Sequence, residues 1–236
     1  MEGIIIYCDG ASKGNPGRGG WGALVASKDS VRELGGREDH TTNNRMELLA
    51  AAEALAYAAT LPEAPITVHT DSSYVINGIT KWVRGWASRG WMTSQNKEVL
   101  NQDLWQQLVA AKDACAGRIT WTYVGGHIGI AGNERVDTIA SDFAEKKPVS
   151  LYDGSRAAYT VDITNITHDA ELHEAKAKTK SRSSAKAYSY ISSVDGKVMT
   201  HKTWSECEAR VRGKKARFKK ATSPSEEQDI IRSFSS

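Results

Sequence analysis

Ile4-Ile5-Ile6-Tyr7-Cys8-Asp9-Gly10 is the stretch on which the fold turns. Its apolar, largely β-branched run predicts a strand, and Asp9-Gly10 predicts its end. Gly14-Asn15-Pro16-Gly17-Arg18-Gly19-Gly20 follows as a turn-rich segment, and Trp21 to Ala26 reads as a second strand completing a hairpin. A third strand is expected from Val31 to Gly35. Thr41-Thr42-Asn43-Asn44 then offers N-cap residues to a helix reaching about Ala59, with Met46, Leu48, Leu49, Ala52, Leu55 and Ala56 at helical spacing. Leu61-Pro62-Glu63-Ala64-Pro65 breaks that helix.

Beyond the break, Ile66 to Thr70 reads as a short strand, and Asp71-Ser72-Ser73 can cap a helix from about Tyr74 to Val83. Another helix is expected from Asn101 to Ala114, a strand from Arg118 to Val124, and a last helix after Asn133. Three antiparallel-type strands followed by alternating helix and strand predict an α/β fold: a mixed five-stranded sheet with flanking helices. This domain is expected over residues 1–166. Residues 167–186, polar and rich in Ala, Lys and Ser, read as a linker. Residues 187–236 regain aromatic and apolar residues and read as a small basic α/β domain.

The composition, 40% hydrophobic and 25% charged, is that of a folded globular protein. No run of about 18 apolar residues marks a membrane span. The N-terminus lacks the basic and apolar regions of a signal peptide. Cys8, Cys115 and Cys207 are odd in number and widely spaced, which disfavours structural zinc and a disulfide framework and fits a reducing cytoplasm. The net charge of +3 is uneven. Residues 1–166 hold 16 Lys and Arg against 19 Asp and Glu, while residues 167–236 hold 15 against 9. Basic charge is concentrated in the last third, as for a segment that approaches a polyanion, or equally for a solvated tail.

Four carboxylates occupy positions where ligands bind in open α/β sheets. Asp9 is expected at the end of the first strand, Glu47 in the first turn of the first helix, Asp71 at the end of a later strand and Asp137 in the last helix. Clustered carboxylates raise one another's pKa, so a positive charge must compensate. Hard oxygen ligands suit Mg²⁺, and two such ions about 3.5–4 Å apart can clamp an in-line displacement at phosphorus. Taken singly, each acid could equally be a cap or a surface charge.

The local settings of these acids resemble a known family. Tyr7-Cys8-Asp9-Gly10-Ala11 with Gly14-Asn15-Pro16-Gly17, Thr42-Asn43-Asn44-Arg45-Met46-Glu47, Thr70-Asp71-Ser72, Gly126-His127-Ile128-Gly129 and Gly132-Asn133-Glu134-Arg135-Val136-Asp137 resemble, in order and spacing, the motifs of type I ribonucleases H. The resemblance covers about residues 3–145. It implies endonucleolytic hydrolysis of the RNA strand of RNA–DNA hybrids, leaving 5′-phosphate and 3′-hydroxyl ends. It implies two Mg²⁺ ions, with Mn²⁺ as a substitute, on Asp9, Glu47, Asp71 and Asp137. Glu47 matches the residue that also reads the RNA 2′-hydroxyl. His127, flanked by glycines, matches a loop histidine that assists proton transfer or product release.

The same resemblance places Ser12, Asn15, Asn43 and Asn44 at substrate contacts; amides and hydroxyls suit a 2′-hydroxyl, since they both donate and accept. Ser73 departs from the Gln frequent in relatives. Lys81 to Trp91 resembles the family's basic protrusion, with Trp82, Arg84 and Arg89 as candidate DNA contacts. Its charge is thin, with Ala87, Ser88 and Met92 where Lys is frequent, and Trp82 and Trp86 equally suit packing within the protrusion. In the last third, Trp204 would open a helix capped by Thr203 and ended by Gly213. Tyr188, Tyr190, Trp204, Cys207, Gly213, Ala216, Phe218, Lys219 and Lys220 resemble the hybrid-binding domain of eukaryotic ribonucleases H1 and viroplasmin-like proteins. Trp204, Arg217, Phe218, Lys219 and Lys220 are the candidate contacts, for hybrid and for double-stranded RNA. Departures are the missing Gly-Arg-Lys signature in the first hairpin, Ala221 in place of an aromatic, and the C-terminal position. A soluble, cytoplasmic monomer with no membrane partner is expected.

Overall fold

The computed structural model describes residues 3–125, 129–165, 187–194, 196–214 and 216–235. The chain divides into two compact units, Met1–Asp169 and Ala170–Ser236. The expected linker, 167–186, lies outside the described residues.

In the first unit β1 (Ile4–Gly14) and β2 (Gly17–Ala26) form a hairpin in register from Ile5↔Ala26 to Gly14↔Gly17, and β3 (Ser30–Thr41) pairs with β2. All three run well past the apolar stretches. Asp9 is therefore inside β1, opposite Gly22, and not at its end as the sequence suggested. The reason lies in the glycines. Gly17 to Gly20 read as turn residues but belong to β2, and Gly20, like Gly22 in the expected part of the strand, has a helix pressed against it. A Cβ on Gly20 would lie 2.2 Å from the Ala140 carbonyl oxygen, and one on Gly22 2.5 Å from that of Val136. These glycines provide close helix–sheet approach, and the turn itself is confined to Asn15-Pro16.

The chain continues through α1 (Asn43–Ala58), β4 (Ile66–Thr70), α2 (Ser73–Asn77), a π-helical turn (Gly78–Trp82), α3 (Val83–Ala87), α4 (Gln102–Ala114), β5 (Ile119–Tyr123), α5 (Ala131–Ala144) and β6 (Asp153–Ser155). Thr42 caps α1, its hydroxyl accepting from the Arg45 amide. Glu47, the fifth residue of α1, thus opens the second turn and not the first. Asn133 lies inside α5, which starts three residues earlier than expected.

The sheet order is β5-β4-β1-β2-β3-β6, six strands where five were expected. β6 carries only Asp-Gly-Ser, with no apolar pattern, and exists because it pairs with the outer edge of β3. One sheet face holds Ile6, Cys8 and Val25 against α1 and α4. The other holds Tyr7 and Leu24 with Val136 of α5. Alternation along β1 assigns successive side chains to these two cores.

In the second unit β7 (Ser189–Val194) is flanked by β8 (Lys197–His201) and β9 (Ala216–Ala221), all antiparallel. Helix α6 (Trp204–Val211) is capped by the Thr203 hydroxyl and is followed by Gly213 at φ +72°, as expected for a left-handed stop. Val194, Cys207 and Val211 form one small core, and Ile191 and Ala221 form another with Ile230 of α7 (Pro224–Ser235).

Candidate active site

The parallel β1–β4 ladder stops at Tyr7↔His69, and β4 ends one residue later. Asp9 and Asp71 both follow that stop, so the ligand-binding edge of the parallel sheet survives even though β1 itself runs on. Gly10 brings in the third acid. A Cβ there would lie 2.3 Å from the Glu47 amide nitrogen, so only glycine lets β1 pass this close to α1. Gly132 does the same on the opposite face, where a Cβ would lie 2.6 Å from the Tyr7 ring, and it seats the start of α5 upstream of Asp137.

Asp9 is buried, and its Oδ1 accepts from the Gly10 amide at 2.7 Å. Burial, then the negative charges of Asp71, Asp137 and Glu47, push its pKa up to about 8, against the opposing pull of that amide. The four acids, scattered over nearly 130 positions of sequence, therefore share one electrostatic neighbourhood. Glu47 is also raised, by burial first and Asp71 second. Two side chains restrain it: Asn43 Nδ2 donates to Oε1 at 2.8 Å and Ser72 Oγ donates to Oε2 at 2.6 Å. Asp71 and Asp137 are half-buried. Among the described residues no three His, Cys, Asp or Glu side chains are arranged as a ready-made metal site. The donor set is nonetheless hard and anionic, the character that suits a divalent cation with water in its shell.

Ser72 is a site residue that its sequence context marks only as a cap. It does cap α2, accepting from Val75 at 3.1 Å, and the same hydroxyl orients Glu47. The signal available in sequence was its place directly after Asp71. Asn43 and Asn44 are the first two residues of α1; Asn43 is committed to Glu47, and Asn44 is exposed. Ser12 is half-buried on β1 and Asn15 is exposed in the hairpin turn. His127 lies outside the described residues. Downstream of it, Gly129 adopts φ +81° and donates its amide to Glu134 Oε1 at 3.1 Å.

In the protrusion the tryptophans pack against one another. Trp82 and Trp86 lie 5.6 Å apart, Trp86 and buried Trp105 5.6 Å, and Tyr74 meets Trp105 edge-on at 5.3 Å. Trp82 keeps one exposed flank. Arg84 is exposed, and exposed Arg89 reaches the Met92 carbonyl at 3.4 Å.

In the second unit the sequence-adjacent candidates divide between two faces. Phe218 meets Trp204 in a tilted pair at 5.4 Å, and Trp204 lies 5.7 Å from half-buried Tyr190, so an aromatic row with Trp204 and Phe218 exposed crosses the α6 side of the sheet. Strand alternation puts Lys220 on that side. Arg217 lies on the other, over the Phe234 ring and donating to the Phe234 carbonyl at 2.8 Å, and exposed Lys219 shares its face.

A mixed sheet with an acidic cluster beside the end of its parallel strands defines a class, and comparison with known proteins gives the family. The RNase H family model matches residues 1–145. The ribonuclease H of Novosphingobium aromaticivorans is 51% identical over 144 residues, which is 61% of this chain and 98% of that protein. Ribonuclease HI of Pseudomonas aeruginosa is 51% identical over 140 residues, 59% of this chain and 92% of that one. The crystal structure of LC9-RNase H1, a type 1 RNase H with the type 2 active-site motif, superposes with a TM-score of 0.56 at 32% identity, covering 65% of this chain and 78% of that one. The chain belongs to the ribonuclease H family of enzymes.

Proposed function

We propose that the chain is an endonuclease that hydrolyses the RNA strand of RNA–DNA hybrids, leaving 5′-phosphate and 3′-hydroxyl ends, and that Asp9, Glu47, Asp71 and Asp137 are its catalytic carboxylates. The observation that carries this reading is the meeting of Asp9, Asp71 and Glu47 just past the end of the parallel β1–β4 ladder, where Gly10 lets β1 pass against the Glu47 backbone and Ser72 binds the Glu47 carboxylate. A buried cluster of like charge is costly unless a cation neutralises it. These four residues would hold two Mg²⁺ ions, with Mn²⁺ as a substitute, which stabilise charge on the phosphodiester oxygens and lower the pKa of water. Glu47, fixed by Asn43 and Ser72, points one carboxylate rather than a rotating one at the substrate and can accept from a 2′-hydroxyl. Ser12, Asn15, Asn43 and Asn44 flank it as neutral donors and acceptors. His127 would exchange a proton or release product.

The domain reading is a catalytic domain at 1–166, a linker at 167–186 and a basic binding domain at 187–236. In the last, Trp204 and Phe218 offer stacking surface, Lys219 and Lys220 phosphate contacts, and Arg217 is drawn toward Phe234. Its ligand is hybrid, with double-stranded RNA as a further candidate. In the protrusion, Trp82, Arg84 and Arg89 face the DNA strand. Free cysteines fit a reducing cytoplasm, and the reading is of a monomer. Among the described residues no helix is long and apolar enough to cross a membrane.

The test incubates the protein with labelled hybrid, double-stranded RNA and double-stranded DNA, with Mg²⁺ or EDTA. Hybrid alone should be cut internally, on its RNA strand and only with metal, and Asp9→Asn should abolish cutting while retaining binding in Ca²⁺. Cleavage indifferent to EDTA, or a fully active Asp9→Asn, would refute the reading.

A further inference from the structure

The family match ends at residue 145, yet the chain remains packed on the first unit through residue 165. This strap is tied down at three places. At β6, Tyr152 and Glu33 exchange hydrogen bonds: the Glu33 amide donates to the Tyr152 carbonyl at 2.7 Å, and the Tyr152 amide donates to Glu33 Oε2 at 2.9 Å. Further on, Arg156 donates to the carbonyls of Ser27 and Asp29. At its end, Ile163 is 4% exposed in the core of Tyr7, Val124, Ile130 and Val136, and the Tyr7 hydroxyl donates to its carbonyl at 3.1 Å.

Glu33 is the centre of this attachment. Its side chain is 1% exposed, and its oxygens accept from Arg135 Nε and Nη2, both at 2.7 Å, and from the Tyr159 hydroxyl at 2.6 Å, besides the Tyr152 amide. Burial alone would raise its pKa, but these donors bring it below the ordinary carboxylate value. Arg135 also donates to the Ser150 carbonyl at 2.8 Å. Arg135 sits on α5 two residues before Asp137, and Val136, which packs with Ile163, is Asp137's neighbour.

Helix α5 has a particular need for such anchoring. It lies on Gly20, Gly22 and Gly35, which let it approach the sheet closely but present no side chains to interlock with it. Ridges normally fix a helix against rotation and sliding. The glycine bed itself lacks them; Tyr7 and Leu24 pack with Val136, Arg37 donates to the Phe143 and Ala144 carbonyls at the far end of α5, and the Arg135 fork and Ile163 add a constraint from the remaining flank, beside Asp137.

We propose that the strap of residues 148–163 is a positioning element for metal binding: Tyr159, through Glu33 and Arg135, and Ile163, through Val136, hold α5 in the rotation that presents Asp137 to Asp9. The proposal rests on the reading that Asp137 is a metal-binding carboxylate. Neither Tyr159 nor Ile163 is a catalytic residue.

The test uses the full chain carrying Tyr159→Phe, Ile163→Ala or Ile163→Val, with Asp137→Asn as control. Mg²⁺ binding is measured by titration calorimetry without nucleic acid, and hybrid cleavage is followed across Mg²⁺ concentrations. Residues that orient metal ligands typically change metal affinity by about 10–100-fold, so Ile163→Ala, acting at one remove, should weaken Mg²⁺ binding about tenfold and Tyr159→Phe about threefold. Ile163→Val should restore near-normal affinity, and kcat at saturating Mg²⁺ and KM for hybrid should stay unchanged. If Asp137→Asn weakens binding while Tyr159→Phe and Ile163→Ala bind Mg²⁺ normally, with only Tm lowered, the strap merely stabilises the fold and the proposal is wrong. If Asp137→Asn also binds normally, the carboxylate reading fails, and the strap proposal with it.

Discussion

Replacing Asp9 with Asn should inactivate the enzyme and, in EDTA, make it more stable. Burial and the neighbouring acids lift Asp9 from 3.8 to about 8. The folded chain therefore binds a proton more tightly than the unfolded chain does. With the folded pKa above the unfolded one, stability is highest below about pH 4 and is lost progressively as pH rises through 8. At about 1.4 kcal/mol per pH unit above the unfolded value, the raised pKa costs up to roughly 4 kcal/mol at pH 7, where the folded carboxyl still holds a proton that the unfolded chain has released. Solvent and side-chain relaxation absorb part of that, so about 2 kcal/mol should be recovered by the neutral amide. For a unit of this size that is a rise in Tm of about 4–8 °C. The assay is scanning calorimetry of both proteins in EDTA at pH 5, 7 and 9. The gap should be smallest at pH 5 and widen with pH. Adding Mg²⁺ should narrow it, because only the native site gains binding free energy. An Asp9→Asn variant no more stable than its parent at pH 9, or a gap that shrinks as pH rises, would refute the electrostatic account of the site.

Gly22→Ala should destabilise the first unit by at least about 1–3 kcal/mol, since the new Cβ meets backbone of α5 at 2.5 Å; chemical denaturation measures it, and a neutral effect would refute the glycine-bed account. Glu33→Ala should cost about 3–5 kcal/mol by leaving Arg135 beside a hole, whereas Tyr159→Phe should cost about 1 kcal/mol, again by denaturation. Deleting residues 187–236 should raise KM for hybrid at moderate salt with little change in kcat, because a tethered binder raises local substrate concentration; a collapse of kcat at fixed KM would rule out the tether. Trp204→Ala should weaken hybrid binding by about 1–3 kcal/mol if a base or sugar stacks on the exposed row, and filter binding reads this directly.

The apolar, β-branched run of Ile4 to Cys8, the Thr42 cap and the helical spacing from Met46 to Leu55 were enough to read β1, α1 and the α/β class from sequence, because each is a local preference written in consecutive residues. The four acids were legible as candidates for the same reason: each has its own distinctive neighbours. Gly19 and Gly20 misled because a glycine run signals a turn and a close approach with the same letters, and only tertiary packing, such as the helix over Gly20, distinguishes them. β6 was invisible, since Asp-Gly-Ser has no strand pattern and is paired only because β3 leaves an edge open.

Sequence by itself determined which carboxylates were candidates and the main strands and helices of the first unit, β1 to β5 and α1, α4 and α5. Tertiary structure alone decided that Asp9 sits inside a strand, that Ser72 and Asn43 aim Glu47, that Arg217 and Phe218 face opposite ways, and that a strap beyond the family's domain grips α5. These are relations between residues far apart in the chain, fixed by burial and close packing, and no local pattern encodes them.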